Sequence, residues 1–95
     1  KRLSGEEAFQ LGIACEVVEK SELENMTNKI VKELLGVSPL AQRTIKSVLN
    51  ATQNATLHTS IDLEGEAYGR LRSSNDFKEG VKSFSEKRPP SYKGN

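Results

Sequence analysis

The chain has 95 residues, of which 35% are hydrophobic and 28% are charged. Its 14 basic residues nearly balance its 13 acidic ones, and the net charge of +1 gives no field strong enough to favour nucleic acid or an anionic membrane surface. The single cysteine excludes an intrachain disulfide, no apolar run approaches the length of a membrane span, and the low hydrophobic share favours a helical layer that needs a partner surface.

The first predicted element is a short helix over about residues 5–11. Ser4 and Glu7 have the spacing of a capping box, in which a serine hydroxyl and a glutamate three positions later each bond the other's backbone N–H. Gly12 follows where a left-handed residue commonly ends a helix. The β-branched run over residues 13–18 then predicts a short extended segment.

Two further helices are predicted before the middle of the chain. Ser21 and Glu24 repeat the capping-box spacing and predict a helix that ends at Gly36. Ser38 is then placed as an N-cap and Pro39 as the first helical residue, because a proline there has no intrahelical hydrogen bond to lose.

The second half predicts two more helices, over about residues 56–73 and 76–86, with Pro89 and Pro90 preventing continuation. Gly65 and Gly69 weaken the first of these by about 1 kcal/mol each, or else mark a face where another backbone comes close. The pattern as a whole predicts an all-α chain of about four to five helices with one short extended segment.

Few side chains are arranged for catalysis or metal binding. His58 has no second ligand at metal spacing and is predicted to be an exposed surface residue. Asp62, Glu64 and Glu66 are predicted to form a solvated helix face, since their neighbours are polar. Cys15 has no identifiable partner and is predicted to be a buried or half-buried, inert thiol.

The aromatic and basic residues near the end of the chain have a more specific physical use. Phe84 precedes Lys87, Arg88 and Lys93, and an aromatic face can stack on a purine while a lysine or arginine one turn later meets a phosphate. That combination suits an adenine nucleotide with a 3′-phosphate, the head of coenzyme A. From the residues alone, a core phenylalanine with solvated cations is the simpler interpretation.

Three stretches together resemble the enoyl-CoA hydratase/isomerase (crotonase) family. Residues 3–18 resemble its S-x-x-E-A helix followed by G-L-V and V-V. Residues 38–46 match its S-P-x-A-x-x-x-x-K helix. Residues 76–92 resemble its ending D-x-x-E-G-x-x-A-F-x-E-K-R-x-P-x-F, with Ser83 in place of the alanine. The tail is most similar to short-chain enoyl-CoA or methylglutaconyl-CoA hydratases.

The resemblance implies a C-terminal portion of a longer enzyme with an α/β fold, a spiral of ββα units followed by a helical region. Residues 1–20 would finish the spiral core, and residues 21–95 would form the helical oligomerisation and CoA-site region of a trimer or hexamer. The whole enzyme would be a lyase that hydrates 2,3-enoyl-CoA thioesters. The resemblance transfers no catalytic residue to this chain, which is expected to be inactive alone. It transfers Phe84 and Lys87 as binding residues for the CoA adenine and phosphate.

The resemblance also implies an acyl-CoA substrate without a separate cofactor or metal, and no nucleic-acid or membrane partner. The bacterial cytoplasm or the mitochondrial matrix is the expected compartment, and secretion is not expected. An isomerase or decarboxylase of the same family stays open, as does a free-standing helical interaction module. As a fragment of such an enzyme, the chain is expected to expose a large apolar surface and to self-associate.

Overall fold

The computed structural model describes residues 2–95, and their contacts divide them into two compact units that meet in sequence between Lys32 and Glu33. The structure contains one 3-10 turn, Lys20–Glu22, and five α-helices: α1 (Gly5–Gln10), α2 (Leu23–Leu35), α3 (Pro39–Thr52), α4 (Leu57–Arg72) and α5 (Asn75–Ser85). No strand occurs among residues 2–95, which confirms the all-α prediction. The functional division predicted at residue 20 stays a prediction.

The first unit begins with the predicted capping box. The Ser4 hydroxyl accepts from the Glu7 backbone N–H at 3.1 Å, and the Glu7 carboxylate accepts from the Ser4 N–H at 2.9 Å. Gly12 then ends α1 at a φ of 71°, the left-handed conformation that glycine adopts without steric cost. The Ile13 N–H closes this turn on the Ala8 carbonyl at 2.8 Å, and residues 13–18 form neither helix nor strand.

The capping box predicted at Ser21 is wrong. A 3-10 turn begins at Lys20, so Glu19 takes the N-cap position and makes no side-chain cap bond. Ser21 lies inside that turn, where its hydroxyl is not placed to cap the helix that follows. The Glu22 carboxylate instead accepts from the Asn25 side chain at 3.2 Å.

The second unit contains three consecutively packed helices, each started by a hydroxyl side chain. Ser38 caps α3 ahead of Pro39, as predicted, and Thr56 and Ser74 cap α4 and α5. Helix α4 packs against both α3 and α5. These local caps fix the helix starts because each hydroxyl satisfies a backbone N–H that has no intrahelical partner.

Very little apolar surface is buried in the second unit. Three of the described residues are less than one-tenth exposed. Ala67 is the only apolar one, and Asp76 and Ser83 are polar. Three large side chains of α4, those of Leu57, Ile61 and Tyr68, are 57–77% exposed because none of residues 2–95 covers that face. The expectation of a large exposed apolar surface is confirmed.

Gly65 and Gly69 lie on α4 with no neighbouring atom within 4 Å of a Cβ built at either position. Residues 2–95 therefore provide no close backbone contact at these glycines, and the face that they mark stays a prediction. No helix of the described residues is both long and apolar enough to cross a membrane.

Replacing Ser38 by alanine tests the link between α3 and α5. The Ser38 hydroxyl accepts from the Ala41 N–H at 3.2 Å and donates to the Asp76 carboxylate, so one substitution removes both a cap and a contact with α5. We expect Ser38→Ala to lower the free energy of unfolding by about 1 kcal/mol or more, measured by chemical denaturation. Ser47→Ala, an exposed serine within α3, is the matched control and should be neutral or slightly stabilising.

Candidate functional site

Helix α5 ends in a turn that places a lysine in the left-handed region. Lys87 has a φ of 52° and is the only described non-glycine residue with positive φ. Its N–H bonds the Phe84 carbonyl at 3.2 Å, and the Arg88 N–H bonds the Ser83 carbonyl at 3.0 Å. These two bonds define a Schellman motif, the same helix ending that Gly12 makes after α1.

A lysine is a costly residue at this position of the turn. An L-residue in the left-handed conformation is disfavoured by roughly 1–2 kcal/mol because its Cβ crowds the backbone, whereas glycine has no such penalty. Backbone geometry alone would therefore select glycine, as it does at Gly12. A strained residue that is kept at such a position often has a functional side chain, and the side chain of Lys87 is exposed.

Phe84 lies on the last turn of α5 and is 87% exposed. Phe84 is therefore not a core residue among residues 2–95, contrary to the simpler interpretation from the sequence. An open groove of about 520 Å³ adjoins Phe84, and its lining includes five further apolar or aromatic residues: Tyr68, Leu71, Phe77, Val81 and Tyr92. Phe84 and Lys87 thus present an aromatic ring and a cation one helical turn apart, a pair able to contact a flat ring and an anion.

Arg88, directly after Lys87, is bound by two carboxylates. Its Nη1 and Nη2 atoms donate to the two Glu79 oxygens at 2.7 and 3.0 Å, and its Nε donates to Glu86 at 2.6 Å. Glu79 also accepts from the Ser91 N–H at 2.8 Å. Hydrogen bonds from Arg88 and then Ser91 hold the pKa of Glu79 at about 2, and the carboxylates raise the pKa of Arg88.

Asp76, one helical turn before Glu79, holds the end of the chain. Its side chain is buried and accepts from the backbone N–H groups of Lys93 at 2.8 Å and Gly94 at 3.0 Å. Its own N–H donates to the Asn95 carbonyl at 2.9 Å. Burial by itself raises the pKa of Asp76, but the hydrogen bonds from Ser38 and the tail outweigh it and lower the pKa below 3.8.

We call residues 88–95 the tail. It lies along α5 because Asp76 and Glu79 fix it at its far and near ends. Arg43 of α3 adds a bond from Nη2 to the Gly94 carbonyl at 2.9 Å. Gly80 permits close packing between these points, since a Cβ there would stand 3.3 Å from the Tyr92 hydroxyl oxygen.

The remaining candidate residues lie elsewhere. His58 is exposed, as predicted, with its Nε2 atom 3.5 Å from an Asp62 oxygen. Glu64 and Glu66 are also exposed, which confirms the solvated face. The prediction for Cys15 is wrong: the thiol is exposed, on a segment that forms neither helix nor strand. No cluster of metal-ligating side chains occurs among residues 2–95.

The tail contacts were not predicted from the sequence. Asp76, Glu79 and Arg88 are positions of the family ending, which assigns them no partners. The available signal was the i, i+3 spacing of the two acids at the start of a helix that a proline-rich tail follows. That spacing puts both carboxylates on one face, but it does not reveal that the chain turns back over that face.

Comparison with known proteins identifies the family. The family model for enoyl-CoA hydratase/isomerase matches residues 1–95. The chain belongs to this family. The described helices therefore form the helical portion of the crotonase fold, as the resemblance implied.

Curated relatives match nearly the whole chain. A short-chain-enoyl-CoA hydratase of Clostridium acetobutylicum is 31% identical over 93% of the chain and 34% of its own length. A trans-2-decenoyl-(acyl-carrier-protein) isomerase of Streptococcus mutans is 35% identical over 97% of the chain and 35% of its own length. The mitochondrial methylglutaconyl-CoA hydratase of Mus musculus is 32% identical over 97% of the chain and 31% of its own length. The chain thus spans about a third of the length of these relatives.

Solved structures agree with this placement. An enoyl-CoA hydratase from Bacillus anthracis superposes with a TM-score of 0.91 at 33% identity, covering 100% of this chain and 37% of that one. An enoyl-CoA hydratase/isomerase from Mycobacterium paratuberculosis superposes with a TM-score of 0.89 at 28% identity, covering 100% of this chain and 38% of that one.

Acid should weaken the attachment of the tail. A carboxylate whose folded pKa is depressed stabilises the fold fully above its ordinary pKa, and this contribution is lost as the pH falls towards the folded value. For Glu79 the window runs from 4.5 down to about 2, and Asp76 acts in the same direction below 3.8. We expect the free energy of unfolding to fall as the pH drops below 4.5, measured by denaturation of the intact protein.

Glu79→Gln isolates one part of this acid sensitivity. The variant should be less stable than the unsubstituted protein at neutral pH, and the difference should shrink as the pH falls towards about 2, where Glu79 itself becomes protonated. Glu66→Gln, an exposed change on α4, is the charge-matched control. A constant difference between the Glu79 variant and the unsubstituted protein across this range would contradict the assignment.

Proposed function

We propose that the protein carrying this chain is an enoyl-CoA hydratase. In this reaction water adds across the 2,3 double bond of an enoyl-CoA thioester, its oxygen bonding to C3 while a proton is added at C2. The observation that supports this proposal is the match of the whole chain to the family, together with its superposition on enoyl-CoA hydratases of solved structure. Two of the three curated relatives described above are also named as hydratases.

The chemistry requires stabilisation of a thioester enolate. Backbone N–H donors aimed at the developing oxyanion provide this stabilisation in acyl-transfer-type sites, and carboxylates activate the water. Residues 2–95 contain two carboxylates of low pKa, Asp76 and Glu79, and hydrogen bonds from the tail already occupy both. These two acids are therefore given no catalytic role. In keeping with the resemblance, we assign this chain no catalytic residue and propose that the catalytic groups lie in the remaining two thirds of the enzyme.

We assign this chain a binding role at the nucleotide end of the substrate. The exposed ring of Phe84 offers a stacking face for adenine, and the exposed ammonium of Lys87 offers a point charge for the 3′-phosphate. The left-handed conformation of Lys87 supports this role, since a glycine would make the same turn with less strain. No separate cofactor is proposed, because acyl-CoA is the substrate.

Isomerisation is the second candidate reaction. The Streptococcus mutans relative is named as an isomerase of an acyl-carrier-protein thioester, and it is 35% identical to this chain. Moving a 2,3 double bond passes through the same type of enolate as hydrating it. A carrier-protein thioester has no adenine or 3′-phosphate, so dependence on those groups separates a CoA enzyme from a carrier-protein enzyme. A decarboxylase or a free-standing helical module is supported by no specific contact in the structure.

We further propose a homo-oligomer, a trimer or a dimer of trimers, assembled through residues 21–95. The exposed apolar side chains of α3 and α4 support this, among them Ile45, Leu49, Leu57 and Ile61. The compartment proposed is the bacterial cytoplasm or the mitochondrial matrix, in keeping with the Clostridium and mouse relatives.

A direct assay tests the reaction. The intact protein should hydrate crotonyl-CoA, with loss of the conjugated thioester absorbance and formation of 3-hydroxybutyryl-CoA identified by mass spectrometry. The 95-residue chain alone should show no turnover. Formation of a 3,4-unsaturated product without the hydroxyacyl product would favour the isomerase instead.

Substitutions at Phe84 and Lys87 test the binding role. In the intact protein, Phe84→Ala and Lys87→Ala should each raise the Kd for CoA about tenfold, because each removes a stacking or charge-assisted contact. Lys87→Gly should weaken binding as Lys87→Ala does without lowering the thermal midpoint, since glycine relieves the left-handed strain. Isothermal titration calorimetry gives the Kd values.

Lys78→Ala is the control, because it removes one exposed cation from the same helix without touching the turn. It should leave the Kd for CoA unchanged. Equal affinity for CoA in the Lys87 and Lys78 variants would show that Lys87 does not bind the phosphate.

A further inference from the structure

Lys87 and Arg88 are adjacent cations in very different surroundings. All three nitrogens of the Arg88 guanidinium are occupied: Nη1 and Nη2 by Glu79, Nε by Glu86, with a further Nη1 bond to the Pro89 carbonyl at 3.1 Å. The Arg88 side chain is also half-buried. By contrast, the structure records no ion pair or side-chain hydrogen bond for Lys87 among the described residues. Of the two cations, only Lys87 is available to an incoming anion.

The contacts of Arg88 fix the backbone on both sides of Lys87. Glu86 precedes Lys87 and Arg88 follows it, so the bond of 2.6 Å between them closes a small ring around the left-handed residue. The bidentate pair with Glu79 then joins this ring to the middle of α5. A planar guanidinium can hold two carboxylates in fixed directions, which an ammonium cannot do with the same geometry.

Arg88 also neutralises acids that would otherwise compete for Lys87. Glu86 and Glu79 together carry two negative charges beside the turn, and Arg88 takes part in a contact with both. Lys82 reaches Glu86 only at 4.0 Å. Without the guanidinium, these carboxylates would attract the Lys87 ammonium away from solvent and from a ligand phosphate.

We propose that Arg88 and Glu79 are positioning residues: their ion pair holds Lys87 in its left-handed turn and keeps its ammonium available to the 3′-phosphate of CoA. This inference rests on the binding role proposed above for Lys87. The distal tail is held separately by Asp76, which binds the N–H groups of Lys93 and Gly94. Disturbing Arg88 therefore alters the turn while the far end of the tail keeps its own attachment.

The test is a double-mutant cycle on the intact protein, read by calorimetric Kd values for CoA and for 3′-dephospho-CoA. Arg88→Lys keeps the charge but loses the two-carboxylate geometry, and should weaken CoA binding about threefold. Binding of 3′-dephospho-CoA should stay unchanged. In a Lys87→Ala background, Arg88→Lys should have no further effect on CoA, because a residue that acts through Lys87 has nothing left to position. Glu79→Gln should repeat this pattern and serves if the arginine variant fails to fold.

The outcomes separate this inference from the proposed function. Equal weakening of both nucleotides, or full additivity with Lys87→Ala, would show that Arg88 has a purely structural role and would overturn the inference. Unchanged CoA affinity in Arg88→Lys and Glu79→Gln beside a weakened Lys87→Ala would overturn it too, with the binding site intact. Unchanged affinity in Lys87→Ala would remove the binding role and this inference together. The hydration assay tests the proposed reaction independently of these binding measurements.

Discussion

Two carboxylates one helical turn apart on α5 determine the shape of the C-terminal part of this protein. Asp76 and Glu79 together accept hydrogen bonds from three backbone N–H groups of the tail and from the Arg88 guanidinium. The tail has no helix or strand of its own in which to satisfy those N–H groups. The carboxylates of Asp76 and Glu79 supply acceptors for these N–H groups, so the two acids hold the tail against α5.

The same constraint connects three elements that share almost no apolar core. Asp76 bonds Ser38 at the start of α3, and Arg43 of α3 bonds the end of the tail. With Ala67 as the one buried apolar side chain among the described residues, polar contacts carry an unusual share of the organisation of the second unit. The helices leave their larger apolar side chains exposed, as expected for a layer that is covered by further protein in a family whose members are about three times as long.

The candidate binding residues depend on this scaffold. Phe84 lies on the last turn of α5 and Lys87 in the turn that follows, and the ion pair of Arg88 with Glu79 joins that turn to the helix. Lysine in the left-handed position is disfavoured, so a rigid surround is needed to keep it there. The acids Asp76 and Glu79 thus have a structural role here. Hydrogen bonds from Ser38 and the tail lower the pKa of Asp76, and hydrogen bonds from Arg88 and Ser91 lower the pKa of Glu79.

Local physical rules allowed the sequence by itself to determine most of the helix starts, and the resemblance of three stretches to known motifs indicated the family. The bonds that start α1 and α3 join residues at most four positions apart, so Ser4 with Glu7, and Ser38 with Pro39, specify these starts without reference to the rest of the chain. Where a neighbouring turn intervened, as at Ser21, the same rule failed. The exposure of Phe84, the conformation of Lys87 and the partners of Asp76 and Arg88 were decided only by the tertiary structure. The partners of Asp76 and Arg88 depend on the tail turning back over α5. The contacts that hold the tail, such as Arg43 with Gly94, join residues as far as 51 positions apart, beyond the reach of local spacing.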